Sequence, residues 1–221
     1  MNHILLEAHM FFKNGNFPYA ICGGFALDLF TNTDMRVHSD IDICVFEEDK
    51  ESIYKYMKNE GWTVYEFHGS GIVRLINDIS DLERSRRNIM CVKSTCELVE
   101  FFSCDKGKDY FLHEFEKDKG ISSFNYVEFL FNKVADNYFV FNNNNKTLRD
   151  MSKAILRRND IPFLAPELVL LYKAREAERK WFQYDYENTI TKMDDERIDW
   201  FYNGLDILYP SGHVWNKRAN Y

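Results

Sequence analysis

The chain has 221 residues with 35 Asp and Glu against 28 Lys and Arg, a formal charge of −7 that argues against a general nucleic-acid binder. Apolar residues make up 45% and aromatics 16%, enough for a real core, which excludes disordered and fibrous classes. The length fits one large domain or two small ones. Residues 3–14 place Ile4, Leu5, Ala8, Phe11 and Phe12 at helical spacing, and Asn14-Gly15-Asn16 stops that helix. PYAICGG then reads as a short buried strand running into Gly23-Gly24, and FALDLFTN as a helix with Phe25, Leu29 and Phe30 on one face. In RVHSDIDICVF the alternation predicts a strand with Arg36, His38, Asp40 and Asp42 on one face and Val37, Ser39, Ile41 and Ile43 on the other. EEDKESIYKYMKNEG reads as an acid-started, Gly-stopped helix with Ile53, Tyr54 and Met57 inward.

WTVYEF, GIVRLI, NIMCVK, CELVEFF, NYVEFLFN and YFVF follow as strands, while DYFLHEFEK admits a helix. With few helices between residues 62 and 141, the expected fold class is α+β, a mixed sheet with hairpins flanked by helices. The NNNN run at 142–145 reads as a turn, and LAPELVLLYKAREAERK as a helix with Pro166 at its start. YENTITKM and DERIDWFYNGLDIL are further helices, giving a larger mixed domain over 1–160 and a helical one over 161–221. The five cysteines (Cys22, Cys44, Cys91, Cys96 and Cys104) lack CxxC spacing and sit mostly in apolar runs, the pattern of buried free thiols in a reducing compartment. No basic, cleavable leader and no apolar run of bilayer length is visible, so a soluble cytoplasmic protein is expected.

Two carboxylates at i and i+2 on a strand project from the same face roughly 7 Å apart. Asp40 and Asp42 are therefore placed to share a divalent metal, for which Mg²⁺ with oxygen ligands is the usual choice. Fifteen residues separate Gly24 from Asp40. Paired glycines at a helix start let backbone N–H groups approach a polyphosphate, so turn and acid pair complement each other: one holds leaving pyrophosphate, the other the metal at the reacting phosphorus.

GGFALDLF followed by R-V-H-S-D-I-D-I resembles the polymerase-beta-like nucleotidyltransferase superfamily. Together with LAPELVLLYKA it is similar to the lincosamide and aminoglycoside adenylyltransferases, over about residues 17–47 and 161–188. The resemblance implies a nucleotidyltransferase catalytic domain over 1–160 and Mg²⁺-dependent transfer of a nucleoside monophosphate from ATP or another triphosphate to a substrate hydroxyl. It also implies three carboxylates, of which two map onto Asp40 and Asp42. Glu128, interrupting the apolar NYVEFLFN, fits the third as metal ligand or base, with Glu97 and Glu100 in CELVEFF as alternatives. Lys173 corresponds to a lysine that reaches the nucleotide phosphates. On the shared face, Arg36 either meets phosphate or neutralises the acid pair, and His38 is either a proton shuttle or a positioning residue. Glu167 is a dipole partner near its helix start, and Asp28 lies on a helix with a surface role as ready a reading as a functional one. An Asp-x-x-Asp-Phe pattern typical of the family reads WFQYDYE here, keeping Asp185-Tyr186 but placing Phe182 where the first acid would stand. The aromatic run Trp181, Phe182, Tyr184 and Tyr186 either stacks on a ligand ring or forms core.

The leading expectation is an enzyme acting on a small hydroxylated molecule, an aminoglycoside or lincosamide antibiotic, with the negative net charge favouring cationic acceptors. The alternatives are a nucleotidyltransferase modifying tRNA or protein in a toxin or stress system, and a nucleotide-binding module without turnover. A basic groove would favour the former, but the only compact basic clusters are RSRR at 84–87 and LRR at 156–158, which read as solvated surface.

Overall fold

The computed structural model describes residues 2–82, 87–116, 120–141 and 144–216. These divide into two compact units, 1–20 with 36–131 and 21–35 with 132–221. The expected division at 160/161 runs inside the second unit.

In the first unit, helix α1 (His3–Lys13) is capped by Asn2, whose side chain accepts the Ile4 N–H at 2.9 Å, and buries Ile4, Leu5, Ala8 and Phe12. Phe11 and Phe12 pack edge-on against Phe124, and Trp62 closes the same cluster. Strand β2 (Asp42–Phe46) is followed by helix α3 (Lys50–Asn59), which buries Ile53, Tyr54 and Met57 as its spacing requires. Strands β3 (Thr63–Gly69), β4 (Ile72–Leu75), β5 (Ile89–Val92), β6 (Val99–Ser103), β7 (Tyr110–Phe115) and β8 (Tyr126–Ala135) complete the sheet, in the order β2-β8-β5-β3-β4-β7-β6. Pairing is antiparallel from β8 through to β6.

DYFLHEFEK is strand β7 and not a helix. Phe111, His113 and Phe115 alternate with the exposed Leu112 and Glu114, and partners on both sides, β4 and β6, supply the ladder bonds that a helix would have had to make internally.

In the second unit, strand β1 ends at Ile21 (Ala20–Ile21), which pairs in parallel with Phe163 of β12 (Ile161–Leu164). Strand β11 (Ile155–Arg158) forms an antiparallel hairpin with β12, and β9 (Tyr138–Val140) pairs with β10 (Leu148–Asp150) and with the end of β8. The 161–221 segment is thus not all helical: IPFL is a fully buried strand, an apolar run too short to be told from a helix by periodicity. Helices α2 (Gly23–Thr31), α4 (Met151–Ala154), α5 (Pro166–Lys173), α6 (Lys180–Ile190) and α7 (Asp195–Leu208) belong to this unit. Helix α5 stops at Lys173, where the sequence pattern ran on to residue 180, and a single tighter turn (Ala174–Glu176) follows. Gly204 lets α7 close on α5, since a Cβ there would stand 2.9 Å from a Leu171 methyl. Tyr186 stacks on Trp215 with ring centroids 4.7 Å apart and donates to its carbonyl or to Tyr202, which places that member of the aromatic run in the core.

None of the five cysteines is in a disulfide: Cys22, Cys44 and Cys91 are buried, Cys96 and Cys104 half-buried. Burial pushes the Cys44 thiol up to about 12, which leaves it an inert core side chain. Among the described residues no helix is long and apolar enough to cross a membrane. Residues 142–143 of the NNNN run and 84–86 of RSRR lie outside the described residues.

Candidate active site

The acid pair sits where apolar neighbours anchor it. Ile41 and Ile43 are fully buried, and the intervening Asp42, which opens β2, and the preceding Asp40 are half-buried. The extended strand expected from Arg36 begins only at Asp42. Val37, assigned to the packed face, is 74% exposed, and His38, assigned to the polar face, is 6% exposed. The shared-face argument for Arg36 and His38 therefore fails, because the backbone that would carry the alternation is irregular over 36–41. The His38 carbonyl accepts the Ile121 N–H at 2.8 Å, and Arg36 donates to the Val37 carbonyl at 3.1 Å.

Strand β8 lies beside β2, and the Glu128 N–H donates to the Ile41 carbonyl at 3.0 Å, directly between the two aspartates in sequence. Glu128 is half-buried, and its Oε1 accepts from the Tyr126 hydroxyl at 2.7 Å. Burial pushes that hydroxyl well above the ordinary phenol range, and the negative charges of Glu128, Asp40 and Asp42 push it further the same way. Tyr126 consequently stays protonated and serves as a donor. The structure thus places Glu128 on the strand next to Asp42, with the Tyr126 hydroxyl on its carboxylate. Sequence reasoning missed Tyr126; its place two residues before Glu128, on the same strand face, was the available signal.

Glu97 and Glu100 are both exposed, and Glu100 lies on β6, at the far end of the strand order from β2, directly across from Glu114.

Asp40, Asp42 and Glu128 are half-buried and carry oxygen donors, the ligand type that hard divalent cations such as Mg²⁺ select. Among the described residues, no three or more His, Cys, Asp and Glu side chains already stand close enough to hold an ion. The fit is therefore one of donor chemistry and strand placement, and not of a preformed cage.

In the second unit, Gly23 opens α2 with φ +62°, a conformation in which glycine alone escapes a side-chain penalty. Cys22 supplies no side-chain cap to this helix start. Asp28, expected at a helix surface, is 8% exposed and accepts the Met35 N–H at 3.1 Å, so it ties down the loop after α2. Lys173 ends α5 with its ammonium 3.0 Å from the fully buried Asp185 and 4.2 Å above the Phe182 ring. Phe182, in place of an acid, gives Lys173 a ring face as its second contact. Trp181 and Tyr184 remain largely exposed.

Glu167 is no simple dipole partner. It is fully buried, and its Oε1 accepts from Arg149 and from Arg197, each at 2.6 Å, a pairing between residues distant in sequence. In the LRR cluster, Arg157 and Arg158 donate to the Asp160 and Phe30 carbonyls, so both side chains serve local structure.

The fold so defined, a mixed sheet flanked by helices, is similar to that of solved antibiotic adenylyltransferases. The aminoglycoside-2''-adenylyltransferase family matches residues 4–72, a span that includes Gly23, Gly24, Asp40 and Asp42 but not Glu128 or Lys173. Among solved structures, the lincosamide antibiotic adenylyltransferase LnuA in its lincomycin-bound form is 13% identical, with TM-score 0.53 over 87% of this chain and 98% of that one. The solution structure of the antibiotic-resistance factor ANT(2'')-Ia is 13% identical with TM-score 0.52, covering 95% of this chain and 91% of that one. ANT(2'')-Ia in complex with adenylyl-2''-tobramycin gives 13% and 0.51, over 94% and 95%. No curated protein matches the chain in sequence.

Proposed function

We propose that this protein is an adenylyltransferase-type enzyme that moves a nucleoside monophosphate from ATP, or another nucleoside triphosphate, to a hydroxyl of a small antibiotic-like molecule. The observation that carries the reading is the placement of Glu128 on the strand beside Asp42, with its N–H bonded to the Ile41 carbonyl between the two aspartates and its carboxylate held by the Tyr126 hydroxyl at 2.7 Å.

Asp40, Asp42 and Glu128 are the residues that would hold Mg²⁺, which when bound supplies Lewis-acid stabilisation of charge on the phosphoryl oxygens. The acceptor hydroxyl forms a bond to the α-phosphorus as the bond to the β-phosphate oxygen breaks, and pyrophosphate leaves. Glu128, oriented by Tyr126, takes the proton that the hydroxyl loses. The Gly23-Gly24 turn contributes amides to the polyphosphate, a role supported by the positive φ at Gly23 and by the helix that begins there. Lys173, steadied by Asp185 and Phe182, adds a cation for the phosphates. His38, buried beside the acid pair in sequence, has a positioning role. The reaction belongs in the cytoplasm, where nucleoside triphosphates are available.

Incubation with ATP, Mg²⁺ and lincomycin or tobramycin, followed by mass spectrometry of the drug, tests this reading. A drug carrying one added adenylate is the expected product. Unmodified drug from a folded, Mg²⁺-loaded protein across a panel of both classes would refute it.

A further inference from the structure

Strand β6 ends the strand order of the first unit. Its partner is β7, and among the described residues no strand pairs with its other edge. The Glu116 N–H donates to the Leu98 carbonyl at 3.0 Å, which fixes the phase of the β6–β7 ladder. Bonded and non-bonded pairs alternate in an antiparallel ladder, so Glu100 and Phe102 bond to β7, opposite Glu114 and Leu112. Phe101 and Ser103 therefore turn their N–H and C=O groups to the open edge. Nothing in the strand blocks further pairing there: VEFFS holds no proline and no lysine, and its register with β7 does not shift. The edge is also held in place, since the Phe101 ring stacks on Tyr65 of β3 with centroids 4.4 Å apart.

The face opposite Phe101 carries an apolar row that runs out to this edge. Ile72 of β4, Leu112 of β7 and Phe102 of β6 are direct cross-strand neighbours, and such neighbours share a face. Leu112 is 42% exposed and Phe102, which ends the row, 43%. Two positions along the same face, the exposed Glu100 and Glu114 stand directly across from each other, a like-charge pair that further acid would make worse. At the other end of the strand, the turn after Ser103 carries Lys106 and Lys108 as well as Asp105 and Asp109.

We propose that this edge binds a second copy of the chain, β6 against β6 in antiparallel pairing, about a two-fold axis at Phe102. An axis normal to the sheet reverses the strand and keeps its faces, so it passes through a residue, and three registers are open to the exposed part of β6. An axis at Glu100 sets the two Glu100 carboxylates opposite each other beside Glu114. An axis at Phe101 faces each Phe102 with Glu100 of the other copy and breaks the apolar row. An axis at Phe102 has neither fault. Phe102 then meets its own copy as a non-bonded pair, the closer kind, with Cα atoms about 4.5 Å apart. The row continues through it, from Ile72, Leu112 and Phe102 to Phe102, Leu112 and Ile72 of the other copy. On both sides of the axis, Phe101 and Ser103 exchange N–H···O=C bonds with Ser103 and Phe101 of the other copy, which are the groups that β7 leaves unused. The two Glu100 residues stand about 13 Å apart along the strands, and each acid end lies beside the lysine-bearing turn rather than beside the other acid end. With five residues in the strand, association is of the weak, concentration-dependent class.

Sedimentation velocity of the full chain from about 1 to 200 μM, under reducing conditions, tests the association. The wild type is expected to pass reversibly from monomer to dimer over that range. Phe102→Lys sets two ammonium groups against each other at the axis and should weaken the dimer at least about tenfold. Met10→Lys, which removes an exposed apolar side chain from α1, should associate as the wild type does, and circular dichroism checks that both variants are folded. Oxidation with diamide reads the register separately. Phe102→Cys should cross-link into a covalent dimer. The wild type should not, because its two Cys104 thiols would stand about 13 Å apart, and Leu112→Cys, one strand in from the edge, should not either. A monomer throughout the range, a dimer as strong in Phe102→Lys as in the wild type, or cross-linking of Phe102→Cys no faster than that of the wild type overturns the proposal. None of these outcomes depends on the nucleotidyl-transfer reading.

Discussion

Tyr126→Phe removes one oxygen and leaves the ring, which packs against Phe115 at 4.8 Å, in place. What is lost is the 2.7 Å hydrogen bond to Glu128 Oε1. A hydrogen bond to a charged group contributes about 1.5–3 kcal/mol, but half-buried Glu128 can recover part of this from water, so the lower end applies. If Glu128 is the base, a loss near 1.4 kcal/mol of orientation appears as about a tenfold fall in kcat. Binding of the triphosphate should not change. A donor to the charged carboxylate lowers its proton affinity, so its removal moves the acid limb of the pH–rate profile to higher pH. Steady-state pyrophosphate release measured against pH reads both effects, with thermal unfolding as the folding control. A variant with wild-type kcat and an unmoved acid limb would show that Tyr126 does not act through a catalytic Glu128.

Asp40→Asn and Asp42→Asn are each expected to lower turnover at least ~100-fold with circular dichroism unchanged, because charge stabilisation by the acid pair disappears while the half-buried side chains keep their shape. Gly23→Ala forces a Cβ into a φ of +62°, costing about 1–2 kcal/mol, and should weaken a non-hydrolysable triphosphate more than the acceptor in calorimetry. Arg149→Ala leaves the fully buried Glu167 with Arg197 as its remaining guanidinium and should lower unfolding free energy by about 3 kcal/mol or more in urea titrations. Glu196, held down to about 2 by the Arg149 hydrogen bond, stabilises the fold at pH values above its ordinary 4.5 and loses that contribution as pH falls through about 2. Glu196→Gln should therefore flatten the acid side of the urea-midpoint profile.

The parts of the fold legible in the sequence are those in which local periodicity and burial agree. Helix α1, helix α3 and helix α7 have one apolar stripe each, and the stripe alone fixes them. The alternation at 36–43 was legible only in its second half. Ile41 and Ile43 are buried as expected, but Val37 and His38 exchange roles because the chain is not yet extended there. Strand β7 and strand β12 depend on partners elsewhere in the chain, which no local window contains. For the candidate site, DxD and the glycine pair stand out in the sequence because their spacing suggests a chemistry before any fold is known. Tyr126 had a signal in its i, i+2 spacing to Glu128 on one strand, whereas the Lys173–Asp185–Phe182 contact had none, since it needs two helices to fold together before its meaning exists. Glu167 shows the same limit: its helix position suggested a dipole partner, while its partners come from residues 149 and 197.

Nucleotidyl transfer is distinguished most directly from other uses of a triphosphate by following its phosphorus atoms. ATP labelled at the α-phosphate and, separately, at the γ-phosphate should be incubated with Mg²⁺ and lincomycin, for the wild type and for Asp42→Asn. The expected result is α-label on the acceptor and γ-label in released pyrophosphate with the wild type, and neither with Asp42→Asn. Appearance of γ-label on the acceptor, or equal transfer by Asp42→Asn, would contradict the assignment of this site.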